Sequence, residues 1–170
     1  DFHLNVAGEY VYDGALYACQ NDDAKQRRSK RAVWGMAAIL TVAVAAGGCI
    51  PAPGMQNCFY VLLPYLGEFL GAASVIWALA KLGTDWSTVR EYNYKKSVAV
   101  LPVRTAVTAV FSLLGIVCEL IFFFVNDHAG QTFFALLYVL LKLIALLSVL
   151  VLRAEIMQAE WDKLPKKNNF

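Results

Sequence analysis

The chain has 170 residues, of which 59% are hydrophobic and 16% charged, and its formal net charge is +2. Soluble domains are nearer half apolar and a quarter charged, so the balance points to one polytopic membrane domain. So small a charge excludes a partner held by bulk electrostatics, nucleic acid above all.

The first 31 residues form a polar N-terminal segment. Within it, Tyr10-Val11-Tyr12 and Ala15-Leu16-Tyr17 flank Asp13-Gly14. Asp-Gly between β-prone runs predicts a hairpin over about residues 8–19, because both turn positions need positive φ. An isolated hairpin is marginal. It is expected to cap the bundle, or to offer an edge to a cytoplasmic partner by strand addition. The phrase Glu9-Tyr10-Val11-Tyr12 recurs as Glu91-Tyr92-Asn93-Tyr94, short enough to arise by chance. A basic stretch follows, with Lys25, Arg27, Arg28, Lys30 and Arg31.

Residues 32–153 hold four apolar runs, at 33–50, 58–80, 97–125 and 132–152. Each approaches or exceeds the roughly 20 residues that a spanning helix needs. Pro102 lies in the first turns of the third run, where proline is best tolerated. The sequence RRSKR, an apolar run and AAGGC also resemble a signal segment ahead of a lipid-modified cysteine. The basic run begins only at Lys25, however, and Ala46 stands where such sites carry a larger aliphatic residue. The stretch is therefore read as a retained span.

Lys and Arg set the orientation. Besides the first five, Lys81, Arg90, Lys95, Lys96 and Arg104 lie between or beside runs two and three. Arg153, Lys163, Lys166 and Lys167 follow run four, while IPAPGMQN and NDHAGQ carry no cation. Fourteen of the fifteen cations thus fall on one side. The pattern predicts an all-α integral membrane protein of the cell membrane, a four-transmembrane-helix bundle. Both termini are cytoplasmic, and the small β-hairpin lies on the same side. Trp34, Trp77, Trp86 and Trp161 gather toward that side as interfacial anchors. The loop GTDWSTVREYNYKKS reads as a short interfacial segment, and residues 154–170 as a cytoplasmic tail that Pro165 interrupts.

Four cysteines are present, at 19, 49, 58 and 118. None has CxxC spacing, and His3 and His128 are predicted on opposite sides, so no metal or cofactor is expected. Thiol–disulfide catalysis needs a closely spaced pair, which leaves an enzyme reading without its main support. Cys49 and Cys58 flank one loop and are candidates for a disulfide if that face is extracytoplasmic.

Three ionisable residues fall inside spans: Glu68, Glu119 and Lys142. At 1.5 Å per residue, Glu68 and Lys142 both lie roughly 15 Å from the outer helix ends, and Glu119 roughly 9 Å. Lys142 has the reach to contact either acid. Arg104, Thr108, Ser112, Gly115 and Glu119 recur at helical spacing and share a face. Tyr138 and Lys142 lie on a matching stripe with Gln131 and Arg153. Gly67 and Gly71 form a GxxxG motif that lets helices approach closely.

Two functions fit this pattern. The first is a structural, assembly or interaction component whose buried Glu/Glu/Lys cluster fixes helix packing. Its partners are the lipid bilayer and a second copy or another membrane protein. The second is a small proton- or cation-coupled transporter with Glu68 as the exchangeable carboxylate.

Overall fold

A computed structural model describes residues 2–4, 10–12, 14–20, 22–126 and 132–164. Asp13 of the predicted turn, residues 127–131 of the second loop (with His128 and Gln131) and the tail from Pro165 lie outside the described residues.

Four helices are long and apolar enough to cross a membrane. They are α1 (Asp23–Cys49), α3 (Phe59–Leu82), α5 (Leu101–Val125) and α6 (Thr132–Gln158). Two short helices stand between them, α2 (Pro53–Asn57) and α4 (Glu91–Lys96). Helix α1 starts about two turns before the basic stretch ends. Lys, Arg and Gln are good helix formers, and no Gly or Pro interrupts them. Asp23 in the first turn also suits the helix dipole. Pro53 opens α2 at a position where its missing N–H costs nothing.

The large helix contacts run from α1 to α6, from α6 to α5 and from α5 to α3, and a lighter contact of α1 with α3 closes the ring. On α1 the buried residues Val33, Ala37, Leu40, Val44 and Gly47 recur every three or four positions. Between α3 and α5 the glycines decide the spacing. A Cβ on Gly67 would lie 2.5 Å from the Phe111 ring, and one on Gly71 2.5 Å from Thr108 Oγ1. The surface reverses the pattern of a soluble protein. Phe59, Leu70, Trp77, Val103, Phe124 and Leu147 face outward, while Glu68, Glu119, Ser112 and Thr108 are wholly buried.

One end of the bundle carries a three-stranded antiparallel sheet. Its centre is β3 (Leu16–Cys19), flanked by β4 (Val89–Arg90) and β5 (Trp161–Lys163). Among the described residues, Tyr10–Tyr12 is not paired with β3 across the predicted Asp13-Gly14 turn. The strand at Tyr10–Tyr12 (β2) pairs instead with Phe2–Leu4 (β1), Val11 opposite His3. Leu16 and Tyr17 pair with Arg90 and Val89, and Tyr17 to Cys19 pair with Lys163 to Trp161. An isolated local hairpin buries little, whereas β3 gains two partners and a floor of helix ends. Tyr17 stacks on Tyr94 at 4.1 Å, and Trp161 packs against Trp86 at 5.8 Å and Tyr94 at 5.9 Å. Trp86 is only 2% exposed, so it belongs to this core and is no interfacial anchor.

This sheet end joins segments before the first, between the second and third, and after the fourth long helix. Glu91 stitches it together. Its carboxylate accepts the Ala15 N–H at 3.3 Å and pairs with Lys95 at 2.6 Å. The Lys95 hydrogen bond holds its carboxyl below the usual range, helped by the Ala15 amide and the charges of Lys95 and Lys163. A carboxyl depressed in the folded state contributes stability above its unfolded pKa, and loses it as pH falls through the folded value. Acidification is therefore expected to lower the amide protection factors, taken relative to the intrinsic exchange rate at each pH, in β3 and β4 before those of the long helices. Glu91→Gln should remove that pH dependence, as read by hydrogen exchange of Leu16–Cys19.

Candidate functional site

The polar residues of three helices meet in the half of the bundle away from the sheet, here the loop end. Helix α3 supplies Glu68, placed on the same face as Gly71 and Val75 by helical spacing. Helix α5 supplies Ser112, Gly115 and Glu119, and α6 supplies Tyr138 and Lys142. All six are buried.

Lys142 forms a salt bridge with Glu68 Oε2, and Ser112 donates to Glu68 Oε1 at 2.5 Å. Both carboxylate oxygens are thereby engaged. The ammonium also lies 4.6 Å from the centre of the Tyr65 ring and 5.1 Å from that of Tyr138. Ring faces carry negative potential, so two of them beside a desolvated cation contribute on the order of 1–2 kcal/mol each. Gly115 lies beside the lysine stem, where a Cβ would make an ordinary contact with Lys142 Cε at 3.6 Å.

Glu119 stands apart. Its Oε1 accepts the Gly54 N–H of α2 at 3.4 Å. Among the described residues, neither its Oε2 nor the buried Tyr138 hydroxyl has a partner. The Glu/Glu/Lys cluster expected from sequence is thus arranged as a closed ion pair and a second acid one turn nearer the loop end.

The rest of the predicted seam serves the helix contacts toward the sheet end. Arg104 donates to the Ser74 carbonyl at 2.7 Å, linking α5 to α3. Arg153 donates to the Pro102 carbonyl, linking α6 to α5. Thr108 returns its hydroxyl to the Arg104 carbonyl at 2.8 Å and packs its side chain on Gly71. Cys49 and Cys58 are free thiols in this structure, Cys49 exposed and Cys58 half-buried.

Sequence reasoning missed two members. Tyr65 lies one turn before Glu68, a spacing that could have put its ring on the same face. Its hydroxyl reaches the Val44 carbonyl of α1 at 3.4 Å. Gly54 lay within a stretch read as loop, and only the Pro-Gly pair hinted at a turn there.

Compared with protein-family models, curated proteins and solved structures, the chain gives no match.

The geometry makes Glu68 and Lys142 interdependent. Removing one partner of a buried pair leaves the other charge stranded, at a cost of about 3–5 kcal/mol. Glu68→Gln and Lys142→Met should each lower the thermal unfolding midpoint in detergent, followed by helical circular dichroism. The double variant, which strands no charge, should recover most of the loss. A midpoint indifferent to all three would refute the pairing.

Proposed function

We propose that this chain is a multi-pass protein of the cell membrane that serves as a structural or assembly component, with no catalysis of its own. Its Glu68–Lys142–Ser112 cluster selects which helices meet, and both termini lie in the cytoplasm. A second copy or another membrane protein is its partner within the bilayer. The N-terminal strands are where a cytoplasmic partner would meet it.

The carrying observation is the closed state of Glu68: wholly buried, with one oxygen taken by Lys142 and the other by Ser112. In hydrocarbon an unmet charge is costly, and helices that bring these three groups together are favoured over other pairings. A transporter built on Glu68 as the exchangeable carboxylate would have to break both contacts in every cycle. That weighs against the transport reading.

Orientation rests on the excess of Lys and Arg at the sheet end. The sheet gathers the basic N-terminal, middle and C-terminal segments at one end, as a shared membrane side requires. The loop end then faces outward. The outward-facing apolar side chains of the long helices meet lipid.

Two measurements test this. In a cysteine-free background, Gln56→Cys on exposed α2 should react with an impermeant maleimide on intact cells. Thr88→Cys, exposed at the sheet end, should react only after lysis. Reversed labelling would overturn the orientation. In proteoliposomes the wild-type chain should carry no more proton or cation flux than empty vesicles. A flux lost in a Glu68→Gln protein of unchanged melting point would establish transport instead.

A further inference from the structure

The pair at Glu68 and Lys142 is electrically closed, so the second acid has to be accounted for separately. Glu119 is 0% exposed, and one of its oxygens has no partner among the described residues. Tyr138 is also 0% exposed, with its hydroxyl likewise unpartnered among them. Helices α5 and α6 are antiparallel neighbours, and Gly115 touches Lys142. One turn toward the loop end from that contact, about 5 Å along the axis, brings Glu119 and Tyr138 to the same level. Two such polar groups on facing helices at one depth require a physical explanation.

Helix α2 lies over this site. Pro53 and Gly54 are buried. A Cβ on Gly54 would lie 2.2 Å from Glu119 Oε2, so only glycine allows α2 to seat so closely. The charged and titratable groups around Glu119 come from three elements. Helix α6 contributes Tyr138 and, one turn below, Lys142, which Glu68 of α3 neutralises. Cys58 before α3 and Tyr60 on it lie on another side, with Tyr65 of α3 deeper and Cys118 on α5 itself. Helix α2 brings no ionisable side chain. Among the described residues, the cation nearest Glu119 is thus already paired with Glu68.

A carboxylate here would be a desolvated charge without a counter-ion. The smallest ligand that removes the charge is a proton, and it needs no coordination shell. We propose that Glu119 is a proton-binding site, closed from the loop-end surface by α2, which exchanges its proton when α2 lifts at Gly54. On binding, the proton forms an O–H bond at Glu119 and the carboxylate charge disappears. On release, it returns to water at the loop-end surface. The site is independent of the packing role of Glu68, which keeps its two bonds in either state.

Infrared difference spectroscopy of the full chain in lipid nanodiscs reads this directly. The acid-minus-alkaline spectrum of the wild type should contain a protonated-carboxyl C=O band that shifts down in heavy water. Glu119→Gln should lose the band and Glu119→Asp should displace it. The Glu68→Gln/Lys142→Met double variant should keep it, which separates this site from the ion pair. Gly54→Ala, by wedging α2 away, should speed the heavy-water shift severalfold. A band unaltered in both Glu119 variants, or no titrating carboxyl band in the wild type, would overturn the proposal. An exchange rate that Gly54→Ala leaves unchanged would overturn the part played by α2.

Discussion

A carboxylate and an ammonium withheld from water must find each other, and much of this bundle is arranged around that requirement. Glu68 and Lys142 sit on different helices, and Ser112 on a third closes the carboxylate's remaining side. In the proposed structural role, their meeting sets the rotation of α3, α5 and α6 about their own axes, which apolar contacts alone would not. In lipid, one leucine face is nearly as good as another, because tails and side chains are equally apolar. A polar group turned outward, by contrast, is penalised at every wrong rotation.

Small residues make that meeting geometrically feasible. Gly67 and Gly71 bring α3 against Phe111 and Thr108 of α5, and Gly115 lies beside the lysine stem. Toward the sheet end the same helices are tied by Arg104 and Arg153, each donating to a carbonyl of its neighbour. Guanidinium groups placed there bond to backbone rather than to acids, so they add attachment without another buried ion pair. The aromatic core under the sheet completes the series, with Trp86 and Trp161 packed against each other and Lys30 5.6 Å from the centre of the Trp86 ring. Polar contacts thus join the helices at several levels, while many apolar side chains face outward.

What was legible in the sequence follows from range. The long helices are written in runs of apolar residues, and the faces of α5 and α6 in three- and four-residue steps, all local signals. Even the match of Glu68 with Lys142 could be foreseen, because membrane depth is a coordinate that separate spans share. The sheet could not. Its central strand pairs with residues about 73 and 146 positions away, as Leu16 with Arg90 and Tyr17 with Lys163 show, and no local pattern encodes such partners. The Asp-Gly signal was real as turn chemistry but carried little energy against that competition. Trp86 was misjudged for a related reason: an amphipathic ring near a helix end suits an interface and a capped core equally well. Helix α2 is five residues long, below the length at which periodicity can be read.

The same depth argument explains why the two acids differ. Lys142 is the one cation described near these two carboxyl groups, so it cannot neutralise both by pairing. Lys142 projects at the level of Glu68, between two aromatic faces that favour an ammonium there. Moving it up to Glu119 would forfeit the Ser112-supported carboxylate and strand that charge deeper in the bundle. The stable division leaves Glu119 the unmatched member, nearer the surface and under a five-residue helix instead of a full span. If one acid in this protein exchanges a ligand, the energetics select the shallower one. The pair below it can then remain closed and hold the helices together.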